Sequence, residues 1–115
     1  HNSFRHSVTP EQAFAARARR DRNEIEALWQ TLAGPAGEQV VQARLQRLED
    51  LAHGLYGAGG TFGFDEISRI AGELELLLEA CRLKGYSDWP AQSTAAVAMI
   101  PPLLAVLDSV GPGAA

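Results

Sequence analysis

Ile67, Ile70, Ala71, Leu74, Leu77, Leu78 and Cys81 recur every three or four residues. That spacing gathers all seven side chains on one stripe of an α-helix and would scatter them over both faces of a strand. A stripe of this kind has to be covered by other apolar surface. The rest of the chain offers more of the same: Ile25, Leu28, Trp29 and Leu32 in one segment, and Val41, Leu45, Leu48, Ala52 and Leu55 in another. No short run alternates as a strand does, and β-branched residues are sparse. Four periodic segments with short connections predict an all-α fold, an antiparallel up-down four-helix bundle.

The first helix is predicted to start at Thr9 or Pro10 and to run to Leu32. Thr9, Pro10 and Gln12 form a capping box with proline at the first helical position. "AGPAG" breaks the chain. The second helix spans about residues 37–58 and ends in the glycine-rich "GAGGTFG". The third starts at Phe64 or Asp65 and ends near Lys84 and Gly85, where a cation and a glycine suit a helix C-terminus. The fourth begins after Ser87 or Asp88 with Pro90 in its first turn. Pro101 and Pro102 should kink or divide it, since each lacks the amide a helix interior needs. The bundle is expected over residues 9–110, after a flexible N-terminal segment or non-native remnant (1–8) and before a frayed tail (111–115).

With 115 residues there is room for one domain. The net charge of −4 argues against nucleic acid as a partner. The run "RARRDR", residues 17–22, reads as a solvated helix face that can also help dock an acidic surface. A single cysteine, Cys81, excludes an internal disulfide and a cysteine-based metal cluster. The longest apolar run, residues 95–107, is interrupted by its two prolines, and no stretch is expected to span a bilayer. No secretory signal is visible, and a cytoplasmic protein is expected. Nine of the ten basic residues are arginine, which together with the alanine and glycine content points to a GC-rich bacterial genome.

One stretch does not fit a purely structural helix. In "LAHGLYGAGGTFGF" His53 lies off the inward stripe set by Leu48, Ala52 and Leu55, so its imidazole points to solvent or to the stripe's edge. Its neighbours one turn away are Glu49, Asp50, Tyr56 and Gly57. Gly57 removes the side chain that would stand beside the ring, and glycine disfavours a helix by about 1 kcal/mol relative to alanine. An exposed histidine followed by glycines at 54, 57, 59, 60 and 63 is a surface that another molecule can approach closely. No paired acid/base or nucleophile constellation accompanies it, which makes an enzyme with its own substrate pocket the least favoured class.

The stretch resembles the histidine-containing phosphotransfer (HPt) domain family. The matching features are His53, Leu55 two later, Gly57 four later, a small residue at Gly59 or Gly60, Gly63, and the following amphipathic helix "FDEISRIAGELE". The resemblance is sharpest over residues 48–78 and extends loosely over 10–110. It implies that His53 accepts a phosphoryl group from a receiver aspartate or a kinase and passes it on, in a bacterial phosphorelay. It implies no cofactor in this chain, with Mg²⁺ carried by the partner receiver. It implies as partners a response-regulator receiver domain, a sensor histidine kinase, or both, without nucleic acid, metal or membrane. Related domains of chemotaxis kinases have, 22 residues after the histidine, a glutamate that holds the imidazole; that position here is Glu75. The family's lysine three residues after the histidine is replaced by Tyr56, a departure that predicts slower transfer unless another cation compensates. Arg69, one helix over, is the candidate. Gly54, Gly57, Gly60, Asp50 and Tyr56 complete the docking face. Two rival readings are a degenerate adaptor that binds a receiver without being phosphorylated, and a plain helical interaction domain.

Overall fold

The computed structural model describes residues 8–32, 37–87 and 89–110. Its helices are α1 (Pro10–Leu32), α2 (Glu38–Thr61), α3 (Asp65–Leu83), and a last limb in three pieces, α4 (Trp89–Gln92), α5 (Thr94–Ala98) and α6 (Ile100–Asp108). Among the described residues there is no strand. The expected "AGPAG" break falls largely on residues 33–36; those, the segment 1–7 and the tail 111–115 lie outside the described residues, as does Asp88.

The cap at α1 is reciprocal. The Gln12 amide donates to Thr9 Oγ1 at 3.0 Å and the Thr9 amide donates to Gln12 Oε1 at 3.0 Å, which supplies two donors that a helix start leaves unpaired. At the other end of the second hairpin arm, α3 stops where Gly85 takes φ +66°, a conformation that favours glycine. The burial pattern follows the periodic stripes. Ile25 of α1, Leu45, Leu48 and Leu55 of α2, Leu74 and Leu78 of α3, and Ile100 and Leu103 of α6 are all fully buried. Helix α1 packs on α2 and α6, and α3 packs on α2 and α6, which closes the four-membered ring of a bundle. Losing one of these leucines to alanine would destabilise the fold by about 2–5 kcal/mol.

Two expectations need correcting. Helix α2 does not end at Ala58 but continues through Gly59 and Gly60 to Thr61. Gly59 is buried, and a Cβ there would lie 3.2 Å from the Ser68 nitrogen and 3.3 Å from the Phe64 carbonyl oxygen. The glycines therefore permit the start of α3 to lie against the last turn of α2; they do not stop the helix. The turn itself is made at Gly63, with φ +83°. Phe14 of α1 stacks on Phe64 with ring centroids 4.7 Å apart and meets Phe62 at 6.0 Å, so α1 pins this turn.

The last limb is divided, as the prolines predicted, but the break precedes them. It falls at Met99, leaving Pro101 and Pro102 in the first turn of α6, where a missing amide costs no hydrogen bond. A further break sits at Ser93. By length and composition alone, Trp89–Asp108 is long and apolar enough to cross a membrane, contrary to the sequence expectation. In this fold the stretch lies in three pieces and places Ile100, Leu103, Leu104 and Leu107 in the bundle core.

The register of α3 on α2 is fixed by polar contacts on either side of His53. The Arg82 guanidinium donates to both oxygens of Glu49 at 3.0–3.2 Å, and Glu49 is the buried charged side chain among the described residues. Below, Ser68 Oγ donates to the Tyr56 carbonyl oxygen at 2.8 Å. These clamps bracket the turn of α2 that carries the histidine.

Candidate functional site

His53 stands on the outer surface of α2 with 73% of its side chain exposed. Its Nδ1 lies 2.6 Å from Glu75 Oε2, which α3 brings across the groove and which is itself 25% exposed. An ionised carboxylate only accepts hydrogen bonds, so in the neutral imidazole this contact puts the proton on Nδ1 and the lone pair on Nε2. Among the described residues Nε2 has no hydrogen-bond partner. The sequence spacing of 22 residues is thus realised as a direct contact.

Helix geometry sets the surroundings, since each residue advances about 100° around α2. On the α3 side of the imidazole stand Glu49 and Tyr56. On the other side stand Asp50 and Gly57, with Gly54 further round towards α1. A Cβ added at Gly57 would meet nothing within 4 Å, so the position borders open space beside the ring. Asp50 is exposed and accepts a hydrogen bond from Gln46 at 3.2 Å. Gly60 is exposed on the last turn of α2, 3.4 Å from Ser68 Oγ as measured from the Cβ it lacks. It is one turn further from His53 than Gly57 and belongs to the α2–α3 packing.

Tyr56 is 50% exposed, and its ring lies across α3 at Gly72. A Cβ at residue 72 would fall 2.8 Å from the Tyr56 Cδ1, so the glycine in "RIAGELE" makes the seat for the ring. The tyrosine thus forms one wall of a groove lined also by Arg69, Glu73, Glu75 and the exposed Leu76. Arg69, the expected compensating cation, is paired on its own helix. Its guanidinium holds Glu66 at 2.8 and 3.0 Å and Glu73 at 3.0 Å, all on its own helix. The hydrogen bond from Arg69 keeps the Glu66 carboxyl below the usual carboxylate range. Arg69, the candidate compensating cation, thus reaches the groove beside Tyr56 and Glu75 while paired with two acids of its own helix.

The run "RARRDR" separates into different roles. Arg19 and Arg20 are exposed. Arg22 bridges α1 to α6 through Asp108 at 2.8 Å and also pairs with Glu26. Arg17 lies against Gly54, the residue next to His53, where its Nη2 occupies the place a Cβ would take. Sequence reasoning did not place an arginine of α1 here, because nothing in local spacing connects residues 17 and 54; the one signal was a glycine directly after the histidine. Cys81 is buried, and burial pushes its thiol up from the ordinary range, which suits a packing role.

The family model of the Hpt domain matches residues 12–107. No curated protein and no solved structure matches the chain. An exposed histidine on the second helix of a four-helix bundle, with a match over most of the sequence, places this chain in the Hpt domain family. That family serves histidine phosphotransfer in phosphorelays, where its members generally work with receiver domains and kinases.

Proposed function

We propose that this chain is a phosphohistidine carrier of a bacterial phosphorelay, with His53 as the acceptor, a receiver aspartate or a kinase as donor, and a second receiver as the recipient. The observation that carries the proposal is the His53–Glu75 contact at 2.6 Å on an imidazole that is 73% exposed.

The chemistry follows from that geometry. The Nε2 lone pair attacks the phosphorus of an aspartyl phosphate. An N–P bond forms, the P–O bond to the aspartate breaks, and the carboxylate leaves with the bonding electrons. The imidazole ring becomes positive as it does so, and the Nδ1–H to Glu75 strengthens in step, which favours the transition state over the ground state. No proton has to leave the ring. Return of the phosphoryl group to a second aspartate reverses the same bonds. The carrier needs no nucleotide pocket, since the receiver brings Mg²⁺ and the acyl phosphate. The bare flank at Gly57 lets the donor approach within bonding distance.

A second reading is an adaptor that binds a receiver without being phosphorylated. It draws on Tyr56, which stands in the place of a cation and seats its ring on Gly72. Incubation with a panel of phosphorylated receivers, read on a Phos-tag gel, separates the two. An acid-labile, base-stable label on this chain supports the carrier. Stable receiver binding with no label from any donor supports the adaptor.

A further inference from the structure

A phosphoryl group on His53 would bring two negative charges to a surface that is already acidic. Asp50 flanks the ring on α2, and Glu75 meets it from α3. Tyr56 contributes no positive charge, and Arg69 is held between Glu66 and Glu73. A second cation, paired through its Nε alone, stands on the other side. Arg17 rises from α1 and lays its guanidinium on Gly54, one peptide from His53, where consecutive Cα atoms are about 3.8 Å apart. Its Nε meets Asp21 at a long 3.4 Å, and among the described residues its η nitrogens have no hydrogen-bond partner. The side chain is 39% exposed, so the fork is seated on the helix yet open to solvent. Gly54 is what gives it that seat, since any side chain there would occupy the same space.

We propose that Arg17 supplies the cation that this chain lacks at position 56, its η nitrogens donating to the phosphoryl oxygens carried on His53 Nε2. The inference rests on His53 as acceptor. It places the charge on α1, on the flank of the histidine opposite Glu75. Glu75 then steadies the ring from one side while Arg17 steadies the phosphoryl group from the other. A planar guanidinium suits this task because it can meet two phosphoryl oxygens at once.

The test loads the histidine chemically, so that it is independent of any protein donor. Phosphoramidate transfers its phosphoryl group to an imidazole nitrogen: a new N–P bond forms, the old one breaks, and ammonia leaves. Peptide mapping separates phospho-His53 from the labels on His1 and His6, which also serve as internal references. Wild type, Arg17→Gln and Arg17→Lys are loaded, checked for helical circular dichroism, and followed by phosphorus NMR against pH. A neighbouring cation favours the dianionic phosphoryl group and lowers the midpoint of its last titration. The expected result is that Arg17→Gln raises this midpoint by roughly half a pH unit and slows loading of His53 about tenfold, the effect of losing one charge-assisted hydrogen bond at an exposed site. Arg17→Lys should keep part of both effects, and the tail histidines should not change. An unchanged midpoint and loading rate in folded Arg17→Gln would overturn the proposal. Failure of every receiver to label the wild type would count against the carrier function and leave this result standing on its own.

Discussion

Removing the Glu75 carboxylate should slow phosphoryl transfer without loosening the fold. Hydrogen bonds to charged groups contribute about 1.5–3 kcal/mol when shielded. Here the pair is at the surface, with Glu75 25% and His53 73% exposed. The lower end applies, about 1.5 kcal/mol, which is roughly tenfold in rate if the bond is gained mainly as the ring becomes positive. Glu75→Ala loses both acceptor and charge and should show the full effect. Glu75→Gln keeps an acceptor oxygen but not the charge and should fall between. The melting temperature should hardly move, because exposed polar substitutions usually change stability by less than about 0.5 kcal/mol. The assay is single-turnover transfer from a phosphorylated receiver by rapid quench, with nitrogen NMR of the His53 ring to read its tautomer. In wild type the proton should be on Nδ1; in Glu75→Ala that preference should weaken. A folded Glu75→Ala protein with an altered tautomer and wild-type transfer would refute the idea that the contact assists the chemistry.

Gly57→Leu should keep or raise helix stability, since glycine is the poorer helix former by about 1 kcal/mol. It should still slow transfer, because the side chain would enter the open space beside the ring; an unchanged single-turnover rate would show that the flank is not a docking surface. Tyr56→Phe should leave transfer nearly unchanged, whereas Tyr56→Lys should either speed transfer by adding a cation or weaken receiver binding by unseating the ring from Gly72; affinity and transfer measured on both variants decide which. Arg82→Ala strands the buried Glu49 carboxylate and should lower stability in urea by about 1–3 kcal/mol, less than a fully buried pair because Arg82 is 37% exposed; an unchanged urea midpoint would mean the clamp does not hold the hairpin register.

Much of the fold was legible because helix periodicity and capping are local. The stripe from Ile67 to Cys81 and the Thr9–Gln12 cap each depend on residues a few positions apart, and both are found in the structure. The end of α2 was misread because glycines in "GAGGTFG" do two different things. Gly63 makes the turn through its positive φ, while Gly59 serves close packing against α3, and local sequence does not distinguish these uses. At the site, the histidine and its glutamate were visible through the family spacing. The surroundings were not, because they depend on which long side chain crosses from which helix. Tyr56 turns to Gly72, Arg69 is taken by its own helix's acids, and Arg17 arrives from 37 positions upstream.

The central claim is that His53 is a phosphoryl relay point, and a pulse–chase experiment tests it most directly. The protein is labelled by a phosphorylated receiver, the label is located by mass spectrometry, and a second, unphosphorylated receiver is added. The account predicts label on His53 alone, its loss to the second receiver during the chase, and neither step in a folded His53→Gln protein. Label that persists in His53→Gln, or a phospho-His53 that no receiver can discharge, would contradict it.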